Sequence, residues 1–187
     1  MEGEQDMKSI LMSIRPEWCK KIFNGEKTIE VRKTRPLIDM PFKVYVYCTK
    51  AKNIREDGLY LLPNDKELYL GCKEKDLGFV CWEGDFRNGK VIGSFVCDRI
   101  REIIPLGLRG FKLGAEWLKE MCLSKEQLDE YGGLKTLYSW HITEPKLFDK
   151  PRGLGELLTP SGTGGVWGNR YLSRPPMSWY YIEADER

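Results

Sequence analysis

The chain has 187 residues, enough to bury a hydrophobic core without disulfides or bound metals. Hydrophobic residues make up 41% of it and charged residues 31%, which excludes a disordered protein. The formal net charge is only +2, and no apolar run approaches the roughly 20 residues that a bilayer-spanning helix needs. The composition therefore predicts one water-soluble globular domain over residues 1–187, without a membrane partner.

The amino terminus and the cysteines indicate the cytoplasm. Residues 1–6 are acidic and polar, unlike the basic and then apolar start of a secretory signal. The six cysteines stand apart with no C-x-x-C pair, and His141 is the single histidine, so we expect neither a metal site nor a cofactor. Most cysteines alternate with apolar residues, which is typical of buried free thiols. Cys72 and Cys81 are the pair to watch for a disulfide.

The charge is distributed unevenly along the chain. Residues 7–50 contain ten Lys or Arg against four Asp or Glu, which is the electrostatic pattern expected for a phosphate-rich partner. An ordinary solvated surface explains the same pattern equally well. Residues 115–131 contain two basic and five acidic side chains, so a protein-interaction surface on this acidic stretch is a third interpretation.

Residues 9–24 predict a strand that leads into a helix. Residues 9–14 are short and apolar, and Pro16 stands where the first turn of a helix tolerates proline. Apolar side chains then recur at helical spacing, and Asn24 with Gly25 supplies the stop. We expect the apolar stripe of this helix to cover one end of a sheet.

Residues 28–33 predict a strand with a polar face. Ile29 and Val31 alternate with Glu30 and Arg32, so the apolar pair and the charged pair lie on opposite faces. On the polar face, the guanidinium offers a planar fork of donors and the carboxylate accepts from an exocyclic amine. Such a pair is suited to reading a nucleobase edge and a phosphate together.

Lys27 extends this polar pair only under one condition. Strict alternation places Lys27 on the Ile29 side, so it joins Glu30 and Arg32 only if it precedes the regular strand. From the residues alone, the alternative is a surface cluster of charges that contributes little energy.

The rest of the chain predicts more strands than helices. Residues 42–49 form a central strand, and residues 50–88 form a loosely patterned insertion with one hairpin. The remaining predictions are strands over 90–104, 137–143 and 177–183, and helices over 115–121 and 124–131, the second capped by Ser124. Without βαβ alternation, about five or six strands favour a closed or half-closed mixed barrel over residues 9–183.

Residues 25–33, which read GEKTIEVRK, resemble the signature G-x-K-x-x-E-x-R of the ASCH family. Further similarity lies at residues 43–48, 89–93, 138–142 and 175–179, so the resemblance covers 9–183 and leaves 50–88 unmatched. It implies an α+β, mainly β fold: a PUA-like mixed β-barrel with a few short flanking helices. It also implies RNA or a nucleotide as partner, held in a cleft beside the signature strand.

The resemblance suggests two functions for this cleft. In the first, Glu30 and Arg32 read a base or a terminal nucleotide while Lys27, Arg15 and Arg174 hold phosphates. In the alternative, Lys27 and Glu30 are the catalytic pair of a small hydrolase, because some ASCH relatives resemble an amidohydrolase acting on acetylated cytidine and others behave as ribonucleases. The amidohydrolase branch has a threonine where this chain has Glu30, which is a departure from its pattern.

Three tryptophans and one histidine are weaker candidates for the functional site. Trp18, Trp140 and Trp179 have the chemistry of base-stacking platforms, but Trp18 and Trp140 fall in apolar patterns that predict core packing. His141 is expected to be a hydrogen-bonded structural residue rather than a general base.

Overall fold

The structure is a computed structural model that describes residues 8–49, 59–61, 68–70, 88–160 and 171–183. The strands in these ranges are β1 (Lys8–Ile14), β2 (Ile29–Arg32), β3 (Phe42–Cys48), β4 (Leu59–Leu61), β5 (Leu68–Leu70), β6 (Lys90–Ile103), β7 (Leu137–Arg152) and β8 (Trp179–Glu183). The α-helices are α1 (Pro16–Phe23), α2 (Ala115–Met121) and α3 (Lys125–Gly132). None of the helices described is long and apolar enough to cross a membrane.

Six strands form one mixed sheet in the order β2-β7-β6-β3-β1-β8. The β1–β3 pair is parallel, and the other neighbouring pairs are antiparallel. The predicted α+β, mainly β class is therefore confirmed. The sheet is not closed into a barrel, because β2 and β8 stay at its two edges among the strands described.

Side chains, rather than a strand ladder, span the gap between these two edges. The Arg32 guanidinium at the end of β2 donates from Nη2 to the backbone carbonyl of Ser13 in β1, at 2.7 Å. The Trp179 indole of β8 donates to Thr34 Oγ1 at 2.9 Å, just beyond β2. The charged end of β2 therefore lies against β1 and the start of β8.

The largest hydrophobic cluster fills the side of the sheet that α1 covers. Trp140 is fully buried in it, with the Phe42 ring packed edge-on at 5.7 Å and Trp179 at 5.9 Å. Trp18 is partly buried against the same cluster. The core role predicted for Trp140 and Trp18 is confirmed.

A second cluster buries the opposite face of β2. Ile29 and Val31 pack there with Met121 at the end of α2, Leu128 of α3 and Leu137 of β7. All four residues of β2 are consequently buried, the apolar pair under the helices and the charged pair toward β1.

Two local predictions are confirmed in detail. Ser124 caps α3, since its Oγ accepts from the backbone N–H of Gln127 at 3.2 Å while Gln127 Oε1 accepts from the N–H of Ser124 at 2.9 Å. In the insertion, β4 and β5 pair antiparallel as the predicted hairpin.

β7 is longer than its sequence predicts. The expected strand over residues 137–143 continues to Arg152, because β6 offers a partner along this whole length. Pro145 and Pro151 argue against strand in the sequence, since proline cannot donate to a ladder. Register shifts between β6 and β7 accommodate the irregular part.

Four cysteines are described, and all four are free thiols: Cys19, Cys48 and Cys97 are buried, and Cys122 is half-buried. Cys72 and Cys81, the pair to watch for a disulfide, lie outside the described residues. Burial raises the pKa of Cys97 to about 12 and raises the pKa of Cys19 well above its usual value.

We expect these buried thiols to resist alkylation in the native protein. At about pH 8 almost no thiolate forms at Cys97 or Cys19, so iodoacetamide should modify Cys122 much faster than either. Peptide mass spectrometry after timed labelling measures the three rates, and labelling in denaturant supplies the control in which they become similar. Equal rates in the native protein would contradict the described burial.

Candidate functional site

Lys27, Glu30 and Arg32 form a continuous ion-paired group, here called the inner cluster. Glu30 lies in the middle: its Oε1 is 2.9 Å from Arg32 Nη2 and its Oε2 is 3.4 Å from Lys27 Nζ. The three side chains are 2%, 9% and 10% exposed, respectively. They converge because β2 begins at Ile29, so Lys27 precedes the regular strand and escapes its alternation.

Lys27 lies behind Glu30, with almost no surface of its own. Its Nζ donates to the backbone carbonyl of Met121 at 2.5 Å and stands 5.1 Å from the centre of the Trp18 ring. The carbonyl belongs to the last residue of α2, where the helix dipole favours a cation. Burial lowers the pKa of Lys27, and the neighbouring Glu30 carboxylate opposes part of this shift.

Arg32 joins the inner cluster to the gap in the sheet. Nη2 contacts both Glu30 and the Ser13 carbonyl, while Nη1 reaches Ser178 Oγ only at 3.5 Å. The third donor, Nε, is buried and has no hydrogen-bond partner among the described residues. Arg32 thus keeps unused donor capacity at a site largely closed to water.

The inner cluster carries more positive than negative charge. Two basic side chains share one carboxylate, and the nearby Cys19 thiol stays protonated because burial raises its pKa. A buried cation without a full counter-charge is costly, and an anionic ligand would offset that cost.

Tyr131, at the end of α3, borders the inner cluster. Its ring is 40% exposed and lies under Lys33 Nζ at 4.8 Å. Burial raises the pKa of Tyr131, the Arg32 guanidinium lowers it by a smaller amount, and the Glu30 carboxylate raises it slightly, so the phenol lies within electrostatic reach of both. Nothing in the local pattern of residues 124–131 predicts this placement, which depends on how α3 packs beside β2.

The other two predicted site residues, Arg15 and Arg174, are not part of the inner cluster. Both are exposed. Arg15 precedes α1, two residues after Ser13, and Arg174 stands four residues before Ser178. Since Ser13 and Ser178 contact Arg32, both arginines lie on chain segments that flank it.

The described residues include no group of three or more His, Cys, Asp or Glu side chains placed to hold a metal ion. The inner cluster itself offers three kinds of chemistry: acceptance by a carboxylate, donation by a guanidinium, and proton exchange at a buried lysine.

No known family profile matches the sequence, and no curated protein matches it. Solved structures do resemble it. The crystal structure of ASCH from Zymomonas mobilis superposes with a TM-score of 0.56 at 18% identity, covering 95% of this chain and 90% of that one. Two variants of the Zymomonas mobilis protein, a tyrosine-to-phenylalanine and a serine-to-alanine substitution, give TM-scores of 0.52 at 16% identity and cover 90% of their own chains. They cover 94% and 95% of this chain, respectively. The chain therefore has the fold of the ASCH proteins, which its sequence resembles.

Proposed function

We propose that the inner cluster binds RNA or a nucleotide. The observation that carries this proposal is the buried Arg32 Nε, which has no partner in the described part of the chain although the cluster already holds excess positive charge. Buried donors are nearly always satisfied in folded proteins, so an unpaired one indicates a missing acceptor. A phosphate or base oxygen supplies both the acceptor and the counter-charge.

Each residue of the cluster has a distinct role in this proposal. Arg32 donates to the ligand, and Glu30 accepts from an exocyclic amine of the base. Lys27, only 2% exposed, acts through Glu30 by holding its carboxylate in place. The half-exposed Tyr131 ring at the border offers a stacking surface for a base.

Arg15 and Arg174 hold backbone phosphates in this proposal. Both are exposed and lie on the segments that carry the Ser13 and Ser178 contacts of Arg32. Exposed guanidiniums bind phosphate oxygens in water by releasing counterions, so their contribution depends on salt. The excess of basic residues over 7–50 supports the same type of partner. A shared fold alone would not support it, since function depends on the site.

A hydrolase is the second candidate, favoured by the state of Lys27. Burial lowers the pKa of this lysine, which brings it closer to the range in which an amine exchanges protons at neutral pH. Paired with Glu30, it would serve as an acid–base group for attack by water on an acylated nucleoside or on RNA.

Salt-dependent RNA binding tests the leading proposal. The apparent affinity for a short single-stranded RNA should fall as the salt concentration rises. In a plot of log K against log salt concentration, Arg15→Gln and Arg174→Gln should each make the slope shallower by about 0.7. Fluorescence anisotropy of a labelled oligonucleotide at several salt concentrations measures this slope. Arg109→Gln is the matched control, since Arg109 is also exposed and lies in the short 3-10 helix Gly107–Arg109.

The outcomes separate the two candidate functions. Binding without product establishes a recognition module. Product released from acetylated cytidine or from the RNA, and lost in Lys27→Met, establishes a hydrolase. If wild type binds no RNA even at low salt and releases no product, both proposals are wrong.

A further inference from the structure

A second polar site lies on the face of the sheet that α2 covers, opposite the face that carries the inner cluster. It is a pocket of about 230 Å³, here called the outer pocket, and it spans β2, β7 and β6. Ile29 lines it, whereas the next residue, Glu30, belongs to the inner cluster. Since neighbouring residues of a strand point to opposite faces, the two sites are separated by the sheet itself.

A bulge in β6 shapes the floor of the outer pocket. Cys97 pairs with Ile142 and Ile100 pairs with Trp140, so Asp98 and Arg99 together stand opposite the single residue His141. Bulges of this kind redirect side chains and are frequent beside functional sites.

Asp98 holds His141 at this floor. Its Oδ1 is 2.6 Å from His141 Nδ1, and this hydrogen bond lowers the pKa of the Asp98 carboxyl. An imidazole oriented in this way keeps its second nitrogen, Nε2, for another partner. The hydrogen-bonded role predicted for His141 is confirmed, and its ring also lines the outer pocket.

The walls carry opposite charges that do not pair. Arg99 and Arg101 come from β6, and Glu116 and Glu120 come from α2. Arg101 stacks over the Trp117 ring at 5.8 Å. The described residues contain no ion pair between either arginine and either glutamate. Unpaired charges of both signs around one pocket are complementary to a ligand that carries both.

We propose that the outer pocket binds a compact phosphorylated amine, with the phosphate at Arg99 and Arg101 and the ammonium at Glu116 and Glu120. Two guanidiniums match the roughly −2 charge of a phosphate monoester and its oxygens. The arginines come from β6 and the glutamates from α2, so the two types of charge line the pocket from different elements, and a ligand with opposite charges at its two ends matches this arrangement. The volume lies below the roughly 300–1,000 Å³ of drug-sized sites, which favours a small molecule.

The single histidine of the chain gives this proposal a direct test. The imidazole signals of His141 in a proton–carbon NMR spectrum need no assignment by mutation, because there is one histidine in 187 residues. Titration with O-phosphoethanolamine at about pH 8, where the phosphate is dianionic, should shift these signals in a saturable way. Inorganic phosphate alone and ethanolamine alone should each bind about tenfold more weakly or worse.

Variants on the two walls complete the test. Arg99→Gln and Glu116→Gln each remove one exposed charge and should weaken the binding of O-phosphoethanolamine about tenfold. Arg109→Gln and Glu130→Gln, exposed and outside the pocket, should leave it unchanged. The proposal is overturned if the signals do not shift, if phosphate alone binds equally well, or if either wall variant binds like wild type. RNA binding at the inner cluster enters none of these measurements.

Discussion

A Glu30→Gln variant is expected to be less stable than wild type by about 3–5 kcal/mol. Glutamine keeps the size of the side chain, so packing is preserved and the loss is electrostatic. The carboxylate is the shared partner of Lys27 and Arg32, and without it these two buried basic side chains lose their counter-charge. Urea unfolding followed by circular dichroism measures the difference, provided that the dependence on urea concentration is similar in both proteins.

A triple variant distinguishes stability from function. Lys27→Met, Glu30→Leu and Arg32→Met together replace the inner cluster by apolar side chains of similar length. Because buried ion pairs rarely stabilise more than well-packed apolar groups do, this protein should recover most of the stability lost by Glu30→Gln. It should bind no RNA. If Glu30→Gln alone is as stable as wild type, the cluster is not buried as described.

This burial excludes the surface cluster, one of the two interpretations that the sequence left open. A surface cluster of Lys27, Glu30 and Arg32 would contribute little and would tolerate substitution. The observed side chains are only 2% to 10% exposed, so the desolvation cost is high and must be offset. The cost of burying the cluster and the unsatisfied donor at Arg32 Nε both support the proposal that the cluster binds a ligand.

The parts of the fold that were predictable from sequence are those with strong local patterns. The apolar periodicity of residues 9–24 predicts β1 and α1, and Ser124 with Gln127 predicts the start of α3. Closure of the sheet was not predictable in this way. It depends on how β8, from the far end of the chain, pairs with β1 and leaves β2 at the opposite edge.

The candidate site likewise has a part that local sequence patterns predict and a part that they do not. The proximity of Glu30 and Arg32 follows from strand geometry alone, and that of Lys27 follows from the start of β2 at Ile29. Their burial depends on distant segments, since Met121 and Ser178 are 94 and 146 residues away from the side chains that they contact. No local pattern contains that information.

Local sequence patterns do not predict the outer pocket either, because it too depends on contacts between distant residues. The pairing of Asp98 with His141 joins residues 43 positions apart and depends on the bulge that sets two residues of β6 against one of β7. The extra residue of a bulge moves the side chains that follow it to the other face of the sheet. The alternation of apolar and polar residues in the sequence does not show where this happens.

A Gly93→Ala variant is expected to lose about 1–3 kcal/mol of stability, the range typical of overpacked cores. Gly93 lies in β6 between β3 and β7, beneath α1. A Cβ atom at this position would be 2.5 Å from the backbone carbonyl oxygen of Lys146 and 2.6 Å from the Phe23 ring. The ring has some freedom to move, but the carbonyl belongs to the neighbouring strand and can move only if the strands separate. Thermal and urea unfolding measure the loss.

Gly155→Ala is the matched control for this substitution. Gly155 lies in the short 3-10 helix Leu154–Glu156, and a Cβ there would contact nothing within 4 Å. Its stability should stay within about 0.5 kcal/mol of wild type, as for most surface substitutions. A loss confined to Gly93→Ala would show that β6, β7 and α1 approach one another too closely for any side chain. Equal stability of the two variants would mean that this approach is looser than described, and that a glycine at position 93 is not required by packing.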